Sequence, residues 1–276
     1  MTEPRKPFLP LEERLPILEG GGWHATLRKA VEDLMGLPEV RRRMDLLAER
    51  VASGEETFRA MLEVMEIELE ATGVVEAIPS EGPVVLIANH PLGGPEPLAL
   101  STLALRARSD FKVLGNVEVG ALAGIEEWLL PLEILDGEGA VRRNLGMMKR
   151  ALTHLREGGV LGVFPAGAVS HWQWKTARVE DPSWFSHTAR IVKKSGASVL
   201  PIRFFGQNGP VFQFLGMVHP LLRSALIPRA FLAMRGRTLR CRAGKLLNRS
   251  ELPGDPDETN SSLRAAVYGV FPGDGN

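Results

Sequence analysis

The chain has 276 residues, 44% of them hydrophobic and 24% charged, and its 33 basic side chains balance 33 acidic ones for a formal net charge of zero. That length and apolar content suffice for one large core or two smaller ones. The charge balance lacks the basic footprint of a nucleic-acid-binding protein, so no nucleic acid is expected as a partner. A single cysteine, Cys241, excludes an intrachain disulfide and a cysteine cluster for zinc. In the strand-like run TLRCRAG it reads as a buried structural thiol, because no base stands beside it.

The opening MTEPRKPFLPLEERLP is charged and proline-rich and lacks the apolar centre of a signal peptide. No uninterrupted apolar run approaches the roughly 18 residues that span a bilayer. The expected location is therefore the cytoplasm, with peripheral contact on the inner face of the cell membrane left open.

Residues 1–22 are expected to form a disordered or loosely ordered arm that ends at Gly20-Gly21-Gly22. Residues 23–73 read as an N-terminal helical segment, with helices over 23–35, 37–51 and 55–71. In the last of these Phe58, Met61, Leu62, Met65 and Leu69 recur at intervals of three and four and make one apolar face, which packs on a core or on a membrane. From Glu81 the pattern changes to short apolar runs at 84–88, 111–114, 130–135, 160–164, 198–205 and 239–242. Segments long enough for crossover helices, such as 140–155 and 184–194, lie between several of them. Strands alternating with helices predict an α/β domain over 74–276, a mostly parallel central sheet flanked by helices. The stretch RSELPGDPDETN reads as a loop before a last short helix. Ligands in such folds gather beyond the carboxyl ends of the strands.

One loop in that location stands out. In LIANHPLGGPEPLAL the run Val84–Ala88 ends in Asn89 and His90, then breaks into Pro91, Gly93, Gly94, Pro95 and Pro97 around Glu96. A histidine at a strand end can serve as a general base near neutral pH, and a carboxylate on its other ring nitrogen would fix the tautomer and stabilise the imidazolium. The glycines allow a tight turn, and Pro95 suits the first turn of a helix whose free N–H groups would face a developing negative charge. The plainer alternative is a strand-capping histidine and a solvated glutamate. A second irregular stretch, FPAGAVSHWQWKTARVEDPSWF, follows the run at 160–164 and carries Ser170, His171, Lys175 and Arg178. Two such loops at strand ends are expected to line one cleft.

These blocks resemble the lysophospholipid acyltransferase superfamily, which includes the 1-acyl-glycerol-3-phosphate acyltransferases, and most closely its hemolysin-type and ornithine-lipid-type branch. That branch reads Asn-His-Pro-Leu-Gly-Gly-Leu-Asp in the first motif, and the six-residue spacing from histidine to acid is kept here. LPLEILDGEGAVRRN, GGVLGVFPAGAVS and ASVLPIRFFGQN are similar to three further blocks of the branch, in the family's order, so the likeness covers roughly residues 57–247.

The resemblance implies transfer of a fatty acyl chain from acyl-CoA or acyl carrier protein to a lysophospholipid or amino-acid-lipid acceptor, with no bound cofactor and no metal. It makes His90 and Glu96 the catalytic pair. It places Asn89, Gly93, Gly94, Arg142, Arg143, Phe164, Pro165, Gly167 and Ser170 at the substrate; for Arg142 and Arg143 an exposed helix face, and for Pro165 and Gly167 a simple turn, are the alternatives. Two positions depart from the branch: Glu96 replaces aspartate, and Ala168 stands where the branch has glutamate. A catalytically degraded homologue that binds lipid or acyl carrier protein is the competing expectation.

The run LLRSALIPRAFLAMRGRTLRCRAGKLLNR is basic and contains no acid, whereas the region around residues 55–81 is acidic. A basic face beside Leu226, Ile227, Phe231 and Leu232 would rest on anionic headgroups. The alternative is that these arginines pair with the acidic segment inside the fold.

Overall fold

The computed structural model describes residues 19–133 and 139–270, so most of the expected arm, and the end of the strand expected at 130–135, lie outside the described residues. Two helices, α1 (Trp23–Met35) and α2 (Leu37–Ala52), meet at Gly36, whose φ of 74° ends one and starts the other. A side chain there would be strained by that φ and would have to displace the Leu232 Cδ1 methyl, 2.7 Å from its Cβ. A third helix, α3 (Thr57–Val64), starts where the Glu56 carboxylate accepts hydrogen bonds from the N–H groups of Phe58 and Arg59, both at 2.8 Å.

The helix expected over 55–71 stops early. Glu66 takes a φ of 54°, which an α-helix cannot contain, and the chain continues as strand β1 (Glu68–Thr72). Leu69 keeps helical spacing from Met65 only by coincidence. Its strand pairs in parallel with β9 (Thr238–Ala243). Sheet structure thus begins before residue 74, where the α/β domain was expected to start.

The remaining strands of the main sheet are β2 (Val84–Ala88), β3 (Phe111–Asn116), β4 (Leu129–Leu132), β5 (Val160–Val163) and β8 (Ser198–Phe205). The seven strands run in the order β1-β9-β8-β2-β5-β3-β4, all neighbours parallel except the antiparallel β8–β9 pair. A small hairpin, β6 (His171–Gln173) with β7 (Arg178–Glu180), lies outside it and carries no signal read from the sequence.

Successive side chains of β2 enter opposite cores, as the strand period of two requires. Val84, Leu86 and Ala88 join a cluster with α3, with the short helix α4 (Val74–Ala77) and with α5 (Pro95–Ala107). Val85 and Ile87 join the other cluster, with α6 (Ala140–Arg156), α7 (His187–Ser195) and α11 (Pro256–Tyr268). All five residues of β2 are buried, the mark of a strand covered on both faces. Between β8 and β9 run three short helices, α8 (Pro210–Val218), α9 (Pro220–Ala225) and α10 (Ile227–Leu232).

Two arginines of the basic run pair with the acidic segment. Arg235 pairs with Glu66 at 2.9 Å, and Arg240 with Glu70 at 3.0 Å, its register partner across β1 and β9. Leu226, Ile227, Phe231 and Leu232 are half-buried; Phe231 and Leu232 pack against the large core cluster and so do not form the lipid-facing surface expected of them. Cys241 is buried, and desolvation pushes its thiol up to about 12, which leaves it inert at neutral pH. No helix among the described residues is long and apolar enough to cross a membrane.

Candidate active site

β2 sits between β5 and β8 with all three parallel, so the loops after these strands emerge at one end of the sheet. Asn89 closes the strand. Its side-chain amide donates to Phe204 O at 2.9 Å and accepts from Phe204 N at 2.8 Å, so both polar ends are held by the backbone of β8. That buried side chain acts as an extra rung of the ladder rather than as a group facing a substrate.

His90 follows, with its side chain 14% exposed. Its Nδ1 lies 3.8 Å from Oε1 of Glu96, which is fully buried at the start of α5. The loop does turn back and bring the two expected residues together, but they stop about 1 Å beyond hydrogen-bond length. Nδ1 is buried and has no hydrogen-bond partner. The Glu96 carboxylate is engaged elsewhere: it accepts from Leu92 N through a short contact and from Gly93 N at 3.0 Å. The N–H groups directed at Glu96 are thus those of the turn before the helix, not those of the helix start itself.

Burial governs both ionisations. It pushes the His90 imidazole down to about 4 and the Glu96 carboxyl up to about 7, against the pull of the Leu92 and Gly93 amides. His90 is therefore neutral at physiological pH and able to accept a proton.

The two glycines of the motif serve packing. Gly93 has a φ of 99°, and a Cβ there would stand 2.7 Å from Val169 Cγ2; at Gly94 a Cβ would meet the Phe231 ring at 2.8 Å. The loop after β5 therefore lies directly against the first motif. Ser170 N donates to His90 O at 2.8 Å, and the Phe164 ring sits 4.9 Å from the imidazole. Pro165 is buried with its carbonyl accepting from Phe185 N at 3.0 Å, and Gly167, at a φ of 61°, closes a turn onto Phe164 O. The two loops expected to line one cleft do meet.

Arg142 and Arg143 stand apart. They open α6 at the end of β4, three strands from β2 and so roughly 14 Å along the sheet. Arg142 is exposed, Arg143 forks onto Glu133, and Asn144 clasps Glu133 through both backbone groups at 2.9 and 2.8 Å.

One buried residue escaped the sequence reading. Asp181 accepts from His90 N at 3.1 Å, from Ser170 Oγ, and from Trp184 Nε1 at 2.9 Å. Its own carbonyl is held by Arg264 at 3.0 Å. Desolvation raises its pKa, against the three donors. The available signal was an acid directly before a proline and three residues before a tryptophan, in EDPSWF. Asn208 was missed likewise; its amide donates to Leu92 O at 3.1 Å and ties the loop after β8 to the first motif.

No family model matches the chain. Among curated proteins it is similar to lyso-glycine lipid O-acyltransferases. It is 27% identical over 168 residues to that of Bacteroides thetaiotaomicron, and 24% over 171 residues to that of Phocaeicola vulgatus. The matches take in 60% of this chain and span only 58% and 57% of those proteins. Among solved structures, the 1-acyl-sn-glycerophosphate acyltransferase PlsC of Thermotoga maritima aligns over 91% of this chain and 90% of its own, with a TM-score of 0.47 and 16% identity.

Proposed function

We propose that this protein transfers an acyl group from a thioester, acyl-CoA or acyl carrier protein, to the hydroxyl of a lysolipid, with an amino-acid lipid as the favoured acceptor. The observation that carries the reading is the His90 Nδ1, buried, unpartnered and facing a buried carboxylate at 3.8 Å. A buried ring nitrogen without a partner costs stability, and groups kept at such a cost are concentrated at functional sites. The names of the two relatives supply the acceptor class.

In this mechanism His90 Nε2 takes the proton of the acceptor hydroxyl as that oxygen attacks the thioester carbonyl. Glu96 moves in on Nδ1 and stabilises the imidazolium. The tetrahedral intermediate collapses, the carbon–sulfur bond breaks, and the leaving thiolate takes the proton from Nε2. The ester and the free thiol are the products, with no acyl-enzyme. Arg142 and Arg143, at the same end of the sheet, are suited to a distal anionic part of either substrate.

The test is transfer of labelled palmitate from either thioester to a panel of lysolipids. His90→Ala should reduce turnover by about 100-fold or more, the usual contribution of a general base, with unchanged circular dichroism. Turnover retained in that variant would remove the dyad from the mechanism. The hold of the loop amides on Glu96 favours a second reading, a homologue that binds lipid or carrier without chemistry. Saturable binding with no turnover from either donor would establish it.

A further inference from the structure

The helix that follows β8 turns its apolar residues outward. Val211, Phe214 and Val218 are 65%, 61% and 60% exposed, at spacings of three and four that place them on one face of α8. Phe212, on the opposite side, is 4% exposed and anchors the helix to the body of the protein. A soluble helix normally shows the reverse pattern. The β6–β7 hairpin that joins this helix presents Trp174 at its end, 76% exposed and edge-on to Trp172.

Hydrogen bonds hold the two elements together. Gln213 of α8 accepts from Trp172 N at 3.0 Å and donates to Asn208 O at 3.2 Å. Asn208 in turn holds Leu92 O, and the hairpin begins one residue after Ser170, which holds His90 O. The apolar surface is therefore built directly on the loops that form the candidate site.

We propose that the outer face of α8, together with Trp174, docks on an anionic lipid bilayer. Three observations single out that occupant. The helix carries no charged residue, so its outer face offers no ion pairs for a protein partner. Between Asp181 and Glu251 every charged side chain is a lysine or arginine, and Lys175 and Arg178 flank Trp174 on the exposed hairpin. An uncharged apolar helix face, joined to a hairpin that presents an exposed tryptophan between basic residues, matches the interface between headgroups and acyl chains. Arg223, whose stem packs along Gly216 of α8, extends the cationic side. The proposal deepens the acyltransferase reading by giving it a membrane-borne acceptor, but it stands on the surface itself.

The experiment is flotation of the full chain with large unilamellar vesicles, either equimolar phosphatidylglycerol and phosphatidylcholine or phosphatidylcholine alone. The wild type should float with the anionic vesicles, more weakly in high salt. The double variant Phe214→Glu/Val218→Glu should bind about tenfold less or worse, and Trp174→Ser should lose part of the binding. Leu27→Glu, on the exposed side of α1, and His90→Ala should both bind like the wild type. Acyl transfer to a short-chain lysolipid held below its micellar concentration should survive the double variant, which separates docking from chemistry. Wild-type protein that ignores anionic vesicles, or a double variant that floats as well as the wild type, would overturn the proposal.

Discussion

Glu96→Gln separates two opposing influences on one carboxyl group. Complete burial disfavours the carboxylate, whereas the N–H groups of Leu92 and Gly93 favour it. Burial prevails and holds the group up to about 7, against an ordinary 4.5. The folded protein therefore keeps a proton that the unfolded chain releases. A carboxyl raised in this way stabilises the fold fully only below about pH 4.5, and that contribution is lost as the pH rises through 7. The difference corresponds to about 3 kcal/mol. Glutamine does not titrate, so the wild type should lose stability relative to Glu96→Gln by roughly 2–3 kcal/mol between pH 5 and pH 8.

The His90 imidazole, held down to about 4 by burial, contributes the opposite slope. Its stabilisation is complete above about pH 6.5 and fades as the pH falls toward 4, but it is present in both proteins and largely cancels in the comparison. Any fixed cost of facing an amide NH2 toward the loop donors shifts the whole curve without tilting it. Urea unfolding followed by tryptophan fluorescence at several pH values measures the tilt. A difference that stays flat with pH, or moves in the wild type's favour as pH rises, would mean that the loop amides outweigh burial and that Glu96 is already a carboxylate in weak acid.

Asn89→Ala should destabilise the fold by roughly 2–5 kcal/mol, because Phe204 N–H and C=O would both be left buried and unpaired; a loss under about 1 kcal/mol in the same urea assay would show that β8 finds other partners. Gly94→Ala should cost about 1–3 kcal/mol through collision with the Phe231 ring, and Phe231→Leu should recover part of it; thermal melts of the single and double variants test the coupling. Ala168→Glu places a carboxylate on the half-exposed loop after β5 and should raise KM several-fold for an anionic lysolipid while sparing a zwitterionic one. Identical kinetics across acceptors would leave that position without a role in acceptor choice.

The strands that carry the site were legible because their signals are local. β2 and β8 fall where the apolar runs at 84–88 and 198–205 placed them, and the proline-glycine break after β2 does fold back on His90. β1 was illegible for a physical reason. It is an edge strand whose glutamates are exposed, and what makes it a strand is pairing with β9 about 170 residues later, where Glu70 meets Arg240. Helical spacing through Phe58, Met61 and Met65 ran on into Leu69, and the break at Glu66 carries neither glycine nor proline to announce it. The engagement of Glu96 by its own loop was hidden for a similar reason. Spacing shows that an acid can reach a histidine, but not that backbone donors reach it first.

Asp181 shows where the precision of the site resides. The main chain of His90 is fixed on both sides, its N–H on Asp181 at 3.1 Å and its carbonyl on Ser170 N at 2.8 Å. Asp181 also takes the Ser170 hydroxyl, so the loops after β2 and β5 converge on one carboxylate that Trp184 locks from behind, while Arg264 holds the Asp181 main-chain carbonyl. The backbone of the candidate base is thus not free to move toward Glu96. The roughly 1 Å that separates Nδ1 from a hydrogen bond must close by rotation of the imidazole or by release of Glu96 from the Leu92 and Gly93 amides. Rotation alone leaves the carboxylate shared among three donors, which weakens its pull on the imidazolium. Release strengthens that pull but exposes two loop N–H groups at the mouth of the site, where a thioester carbonyl gaining negative charge is the acceptor best matched to them. On the second route the amides that now hold Glu96 become donors to the reaction, and a single movement would supply both the oriented base and the groups that stabilise the oxyanion.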